Sequence, residues 1–166
     1  LTAVSGDLPG IAAWLQQRGV EPVFDENTAA LTEAGSIRTV ERDDLPRHVD
    51  LILLLGGDGT LLGMADRTAL AGLEVPILGV NFGGLGFLTE VTYGELFASL
   101  EAALAGTAPV ESRLMLRAAI ERDGQPGAEH YVLHDVTVTG GALSRVVEFA
   151  VSVGGEFVAR FHADGL

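Results

Sequence analysis

The chain has 166 residues, 48% of them hydrophobic, enough to bury a core without the disulfides or metals on which very small domains depend. Ten basic residues against 23 acidic ones leave a net charge of −13, so a basic face that would grip nucleic acid phosphates or an anionic membrane is not expected. Every basic residue is an arginine and cysteine is absent, which excludes lysine Schiff-base chemistry, a P-loop lysine, disulfides and thiolate metal sites.

Asp7 is placed to cap a first helix that carries Ile11, Trp14 and Leu15 at helical spacing and ends at Gly19. Val20 to Phe24 reads as a short strand pushed toward a sheet edge by Pro22, and Asp25 to Pro46 reads mostly as loop. Val49 to Leu55 is an unalternated apolar run, the pattern of a strand covered on both faces in a parallel sheet. A helix is expected from Thr60 to Ala71, closed by Gly72, then a second buried strand from Val75 to Val80. Leu96, Phe97, Leu100 and Leu104 form the core stripe of a third helix, from about Tyr93 to Ala105, with Gly106 at its end.

After Pro109 the period changes to two. Leu114, Leu116 and Ala118 share one strand face, Asp123 and Gly124 suit a turn, and Tyr131 to Val138 is rich in β-branched residues. Val147, Phe149, Val151 and Val153 alternate, Gly154 and Gly155 fit a hairpin turn, and Phe157 to Phe161 returns. The expected fold class is therefore α/β: a parallel-sheet half over 1–108 with glycine loops at its strand ends, then the start of an antiparallel β half over 109–166. Leu1 opens without an initiator Met or a signal-peptide pattern, the longest apolar run is Leu51 to Leu55, and both ends read as cut.

Two glycine loops carry the chemistry. Gly56, Gly57, Asp58, Gly59 and Thr60 stand between a buried strand and a helix, where open α/β sheets bind ligands and a helix N-terminus favours anions. Bare backbone lets phosphates come close. The competing reading is an ordinary tight turn with Asp58 as a helix cap. The second loop, Asn81 to Leu88 with Gly83, Gly84 and Gly86, follows the next buried strand, so both loops should share one sheet edge. Neither fits the Walker or the dinucleotide fingerprint.

The stretches LILLLGGDGTLL, VPILGVNFGGLGFLTEV, LHDVTVTGGALSRVVEF and HADGL resemble the bacterial NAD kinases, in that order and spacing, over nearly the whole chain. The resemblance implies transfer of the γ-phosphate of ATP to the 2′-hydroxyl of the adenosine ribose of NAD, with Mg²⁺ accompanying ATP and no metal ligand assigned to the protein. It makes Asp58 the proposed catalytic base, sharing NAD with Gly59. His134 and Asp135 align with the family's NAD-binding Asn-Glu/Asp pair, Arg145 with a basic position, and His162 and Asp164 with the residues around its DGL motif. Gly56, Gly57, Gly59, Thr60, Asn81 and Gly83 are the implied phosphate-loop residues. A cytoplasmic homo-dimer or homo-tetramer, with nucleotides as its small-molecule partners, is implied as well.

The chain departs from the pattern where His134 replaces the usual Asn, and where Gly63 and Gly140 replace a frequent basic residue. The family's first strand and its TPTGSTAY segment lie outside the sequence. Two alternatives remain: a diacylglycerol- or sphingosine-type lipid kinase, which shares the GGDGT loop, and a non-catalytic NAD-binding module.

Overall fold

The computed structural model describes residues 6–32, 35, 37–83, 86–139 and 146–166. They fall into two compact units, 1–133 and 134–166. The first holds four helices, two small parallel sheets and one hairpin, and the second holds another hairpin, which makes the chain a mixed α/β protein.

In the first unit, α1 (Leu8–Gln16) leads into β1 (Val23–Asp25), which pairs in parallel with β2 (Arg38–Val40). The segment expected as loop thus contains a strand. It also contains α2 (Glu26–Ala29), whose first turn is capped by the Asp25 carboxylate accepting from the backbone of Asn27 and Thr28. β1 falls at the end of the strand expected over Val20 to Phe24, whereas a three-residue strand and a one-turn helix inside the expected loop are too short to show a period, which is why the sequence pattern misses β2 and α2.

The central sheet is parallel throughout, in the order β3 (Ile52–Leu55), β4 (Ile77–Asn81), β5 (Val91–Thr92). The apolar run of β3 is covered on both faces, as its lack of alternation requires. Ile52 and Leu54 pack with Leu45, Leu61 and Met64, while Leu53 and Leu55 lie against Ile11, Val80, Leu96 and Leu100. Between β3 and β4 runs α3 (Asp58–Leu70), two residues ahead of the expected start. After β5 a 3-10 turn over Tyr93–Glu95 opens α4 (Leu96–Leu104). Thr92 and Glu95 form a capping box there, a signal of the type S/T-x-x-E.

Gly19, Gly72 and Gly106 each take a positive φ just past a helix, and in all three cases the next residue's N–H reaches back to close the same C-terminal motif. Two other expectations need correction. Asp7 stands at the cap position of α1 but its side chain caps nothing; its carboxylate accepts from the Tyr93 hydroxyl instead. Of the α4 stripe only Leu96 and Leu100 are buried, because Phe97 and Leu104 lie at the edge of the apolar arc, 43% and 39% exposed. Phe97 packs on Trp14 at 5.4 Å, and Arg18 covers the half-buried Trp14 ring.

The first hairpin joins β6 (Leu116–Arg122) to β7 (Gln125–Val132). Asp123 and Gly124 both have positive φ, the geometry of a type I′ turn, and this turn fixes the register Arg122↔Gln125. The return strand therefore starts at once, not at Tyr131 as its β-branched composition suggested, and Leu114 precedes β6, 97% exposed. β7 packs against α3 within the first unit, so the boundary between compact units falls at 133/134, later than the change of period near 109.

In the second unit, β8 (Val147–Val153) and β9 (Glu156–Ala163) pair antiparallel around Gly154 and Gly155, both at positive φ. Phe149 and Phe161 meet across the strands at 5.6 Å. Val138 and Leu166 exchange two backbone hydrogen bonds, which ties the 134–139 segment to the end of the chain. No helix among the described residues is long and apolar enough to cross a membrane.

Candidate active site

The register Leu55↔Val80 sets the ends of β3 and β4 side by side, and the Gly56 N–H extends the ladder by donating to the Val80 carbonyl. Both glycine loops consequently leave the same sheet edge. Gly56 lets the first loop turn tightly, since a Cβ there would sit 2.8 Å from the Thr60 Oγ1. Gly57 takes the cap position of α3 in extended conformation with no side-chain cap, so the reading of Asp58 as the helix cap is wrong. Asp58 is the first residue of the helix, where the dipole favours an anion.

Its carboxylate reaches across to the second loop. Oδ2 accepts from the Phe87 N–H at 2.8 Å, and Oδ1 accepts from the N–H groups of Leu88 and Thr89 at 3.1 and 3.0 Å and from the Thr89 hydroxyl at 2.9 Å. Gly86 makes this approach possible: a Cβ on it would stand 2.1 Å from Asp58 Oδ1. Desolvation pushes the Asp58 carboxyl up, but the donors at Phe87, Thr89 and Leu88 outweigh it, and the group lies below its ordinary value. Asp58 is ionised at neutral pH and staples one loop to the other.

Asn81, at the end of β4, shapes the second loop through its own amide. Its Oδ1 accepts from the Gly83 N–H at 2.9 Å and its Nδ2 donates to the Thr89 hydroxyl at 3.2 Å. Gly84 and Leu85 lie outside the described residues. Thr89, which the sequence reading did not single out, is fully buried, its methyl against Gly79, where a Cβ would stand 3.0 Å from Thr89 Cγ2. Nothing in a lone Thr after a glycine loop marks it as more than a neighbour.

The other residues singled out in the sequence, His134, Asp135, Arg145, His162 and Asp164, belong to the second unit. His134 and Asp135 face each other at 3.4 Å, both side chains largely exposed, and His162 lies cross-strand from Glu148 at 3.4 Å. The bridge between Thr139 and Gly165 draws Asp164 toward the 134–139 segment. Arg145 lies outside the described residues; Glu148 is 3.7 Å from Arg160.

A shallow cavity of about 340 Å³ lies at the opposite end of α3, lined by Asp43, Asp44, Arg47, Asp66, Arg67, Leu70 and Ala71. Arg67 is committed there to Asp43 at 2.6 Å and to the Gly63 carbonyl at 2.7 Å, leaving a surface occupied by its own ion pairs. Among the described residues no group of three or more His, Asp or Glu side chains could hold a metal ion.

Parallel strands with two glycine loops joined at one carboxylate, beyond the carboxyl ends of the strands, define an open α/β architecture. Residues 10–108 match the family model of the ATP-NAD kinase N-terminal domain, and the chain belongs to that family. It is 43% identical over 156 residues to an NAD kinase of Syntrophotalea carbinolica, covering 94% of this chain and 54% of that protein. An NAD kinase of Acidobacterium capsulatum is 44% identical over 160 residues, covering 96% of this chain and 55% of its own length. The chain thus spans about half the length of the relatives it matches. Its fold is shared with yeast NADH kinase, solved in complex with NADH, at a TM-score of 0.80 over 98% of this chain and 52% of that one, with 20% identity.

Proposed function

We propose that the protein is an NAD kinase that transfers the γ-phosphate of ATP to the 2′-hydroxyl of the adenosine ribose of NAD. The observation that carries this reading is the Asp58 carboxylate at the N-terminus of α3, ionised and fixed where the two glycine loops meet. Phosphoryl transfer needs little covalent help from the protein: it needs the acceptor hydroxyl oriented, its proton taken, and the charge on the phosphates balanced. As the hydroxyl oxygen bonds to the γ-phosphorus, its proton passes to Asp58. The bond from that phosphorus to the β,γ-bridging oxygen breaks and ADP leaves with the electron pair. A carboxylate in this role contributes about 10²- to 10⁴-fold in rate.

Gly56, Gly57, Gly59 and Thr60 with Asn81 and Gly83 form the phosphate loops of this reading, on a nucleotide-binding domain spanning 1–108. Gly59, His134, Asp135, Arg145, His162 and Asp164 join Asp58 in binding NAD, the last five from a β domain spanning 109–166. Mg²⁺ accompanying ATP would neutralise charge on the phosphates. The complete protein works in the cytoplasm as a homo-dimer or homo-tetramer, and the exposed apolar residues Leu116, Ile120, Val153 and Phe157 on the hairpins support burial against further protein. The lipid-kinase alternative is disfavoured by the family match and by relatives that are NAD kinases.

A coupled assay for NADP formed from NAD and ATP by the full-length protein tests the proposal. Calorimetric binding of NAD without any NADP would reject it in favour of a non-catalytic binding module.

A further inference from the structure

We propose that Thr89 is a positioning residue for this reaction: its buried hydroxyl, held between the Asn81 amide and Asp58 Oδ1, fixes the carboxylate so that Oδ2 takes the proton. The inference rests on the reading of Asp58 as the base and adds which oxygen acts and what orients it.

The direction of each hydrogen bond follows from chemistry. Asn81 Oδ1 accepts from Gly83, so Nδ2 is the atom facing Thr89, and an amide nitrogen only donates. An ionised carboxylate only accepts, so the single hydroxyl proton of Thr89 points at Asp58 Oδ1. A carboxylate oxygen has about two lone-pair sites, and Oδ1 already meets three donors, from Leu88, the Thr89 backbone and the Thr89 hydroxyl. Oδ2 meets one, the Phe87 N–H, and keeps room for a substrate proton. No ion pair reaches Asp58 among the described residues, and the influences on its carboxyl are burial and these four hydrogen bonds. Thr89 supplies the one side-chain donor among them. It is locked in turn by its full burial, by its methyl against Gly79, and by its carbonyl accepting from Gly86 at 3.2 Å.

Thr89→Val in the full-length protein removes the hydroxyl and keeps the shape, and Thr89→Ser keeps the hydroxyl. Thr89→Val should lower kcat about tenfold, the scale of one lost hydrogen bond to a charged group, while KM for NAD and ATP stays put. The acid limb of its kcat–pH profile should move to higher pH, because the charged form of Asp58 loses a donor, and Thr89→Ser should restore both features. An unmoved acid limb with unchanged kcat in Thr89→Val, or equal impairment in both variants, would overturn the proposal. If Thr89→Val does not fold, Thr89→Ala carries the same expectation; failure of both to fold while Thr89→Ser folds would make the role structural and overturn it too. Asp58→Asn separates the two levels: near wild-type turnover in that folded variant rejects the base itself, whereas a dead Asp58→Asn beside an unaffected Thr89→Val rejects only the Thr89 inference.

Discussion

Asp58 accepts four hydrogen bonds from a loop that stands 29 to 31 residues away in sequence, above strands buried on both faces. His134, Asp135 and His162 sit on the 134–166 unit with 65% or more of each side chain in water, opposite partners at 3.4 Å. The first site is built by its own backbone and resists change of any atom; the second presents His162 from β9 and His134 and Asp135 from a segment outside the strands, with side chains exposed enough to adapt to a ligand. Exposed pairs of that kind contribute about 0 to 1 kcal/mol, so the fold is indifferent to them. Mutations in the two regions should therefore part company, in activity and in stability.

The largest effect is expected at Asp58. Asp58→Asn puts an amide N–H₂ where a carboxylate oxygen now accepts, so it removes the base and also sets donor against donor at the second loop. Turnover should fall by about 10² or more and the melting temperature should drop with it, measured by steady-state kinetics and thermal unfolding. The acid behaviour sharpens this. Because hydrogen bonds lower the folded-state pKa of Asp58, its contribution to stability is present above the ordinary aspartate value, about pH 4, and is lost as pH falls through the lowered one. Wild type should lose stability over that acid window, and Asp58→Asn should lose less, since the Glu95 carboxyl, lowered by its hydrogen bonds from Thr92, still titrates in both; equal acid profiles would reject the staple.

Next in size is the core beneath the loops. Leu96 is fully buried, and Leu96→Ala should cost about 2 to 5 kcal/mol in urea unfolding, while Val158→Ala on the second hairpin, where Val158 is 59% exposed, should cost less than about 0.5 kcal/mol. Similar costs would erase the contrast between the regions. Gly86→Ala should be worth about 1 to 3 kcal/mol, since its Cβ collides with Asp58 Oδ1 and something must shift, and kcat should fall alongside stability. The smallest effect belongs to His134. His134→Asn restores an amide with donor and acceptor together on an exposed residue, so KM for NAD should hold or improve with no change in melting temperature. A clear loss of NAD affinity would show that the imidazole itself has been recruited.

How much of this was legible follows from the range of each interaction. The buried strands, the helix-ending glycines Gly19, Gly72 and Gly106, and both hairpin turns are local matters of period and φ, and they stand in the sequence as written. The short pairing of β1 with β2 is not legible, because three residues carry no period and parallel partners lie far apart in the chain. Tyr131 and its neighbours have the composition of a strand start, but the turn at Asp123 and Gly124 already sets the register. Leu104 and Phe97 show the same limit: spacing names the stripe, and only packing against Trp14 and the sheet decides where its edge falls.

At the site, residue order is enough to put one carboxylate among glycines after a buried strand and a second glycine loop after the next one. It takes the folded chain to turn Asp58 from its own helix to the N–H groups of Phe87, Leu88 and Thr89, to make Gly86 the residue that admits it, and to complete the set with a buried Thr hydroxyl. Hydrophobic period and turn preference are summed over near neighbours along the chain, whereas a hydrogen bond between loops depends on a strand register that brings distant backbone donors to 3.0 and 3.1 Å from one oxygen.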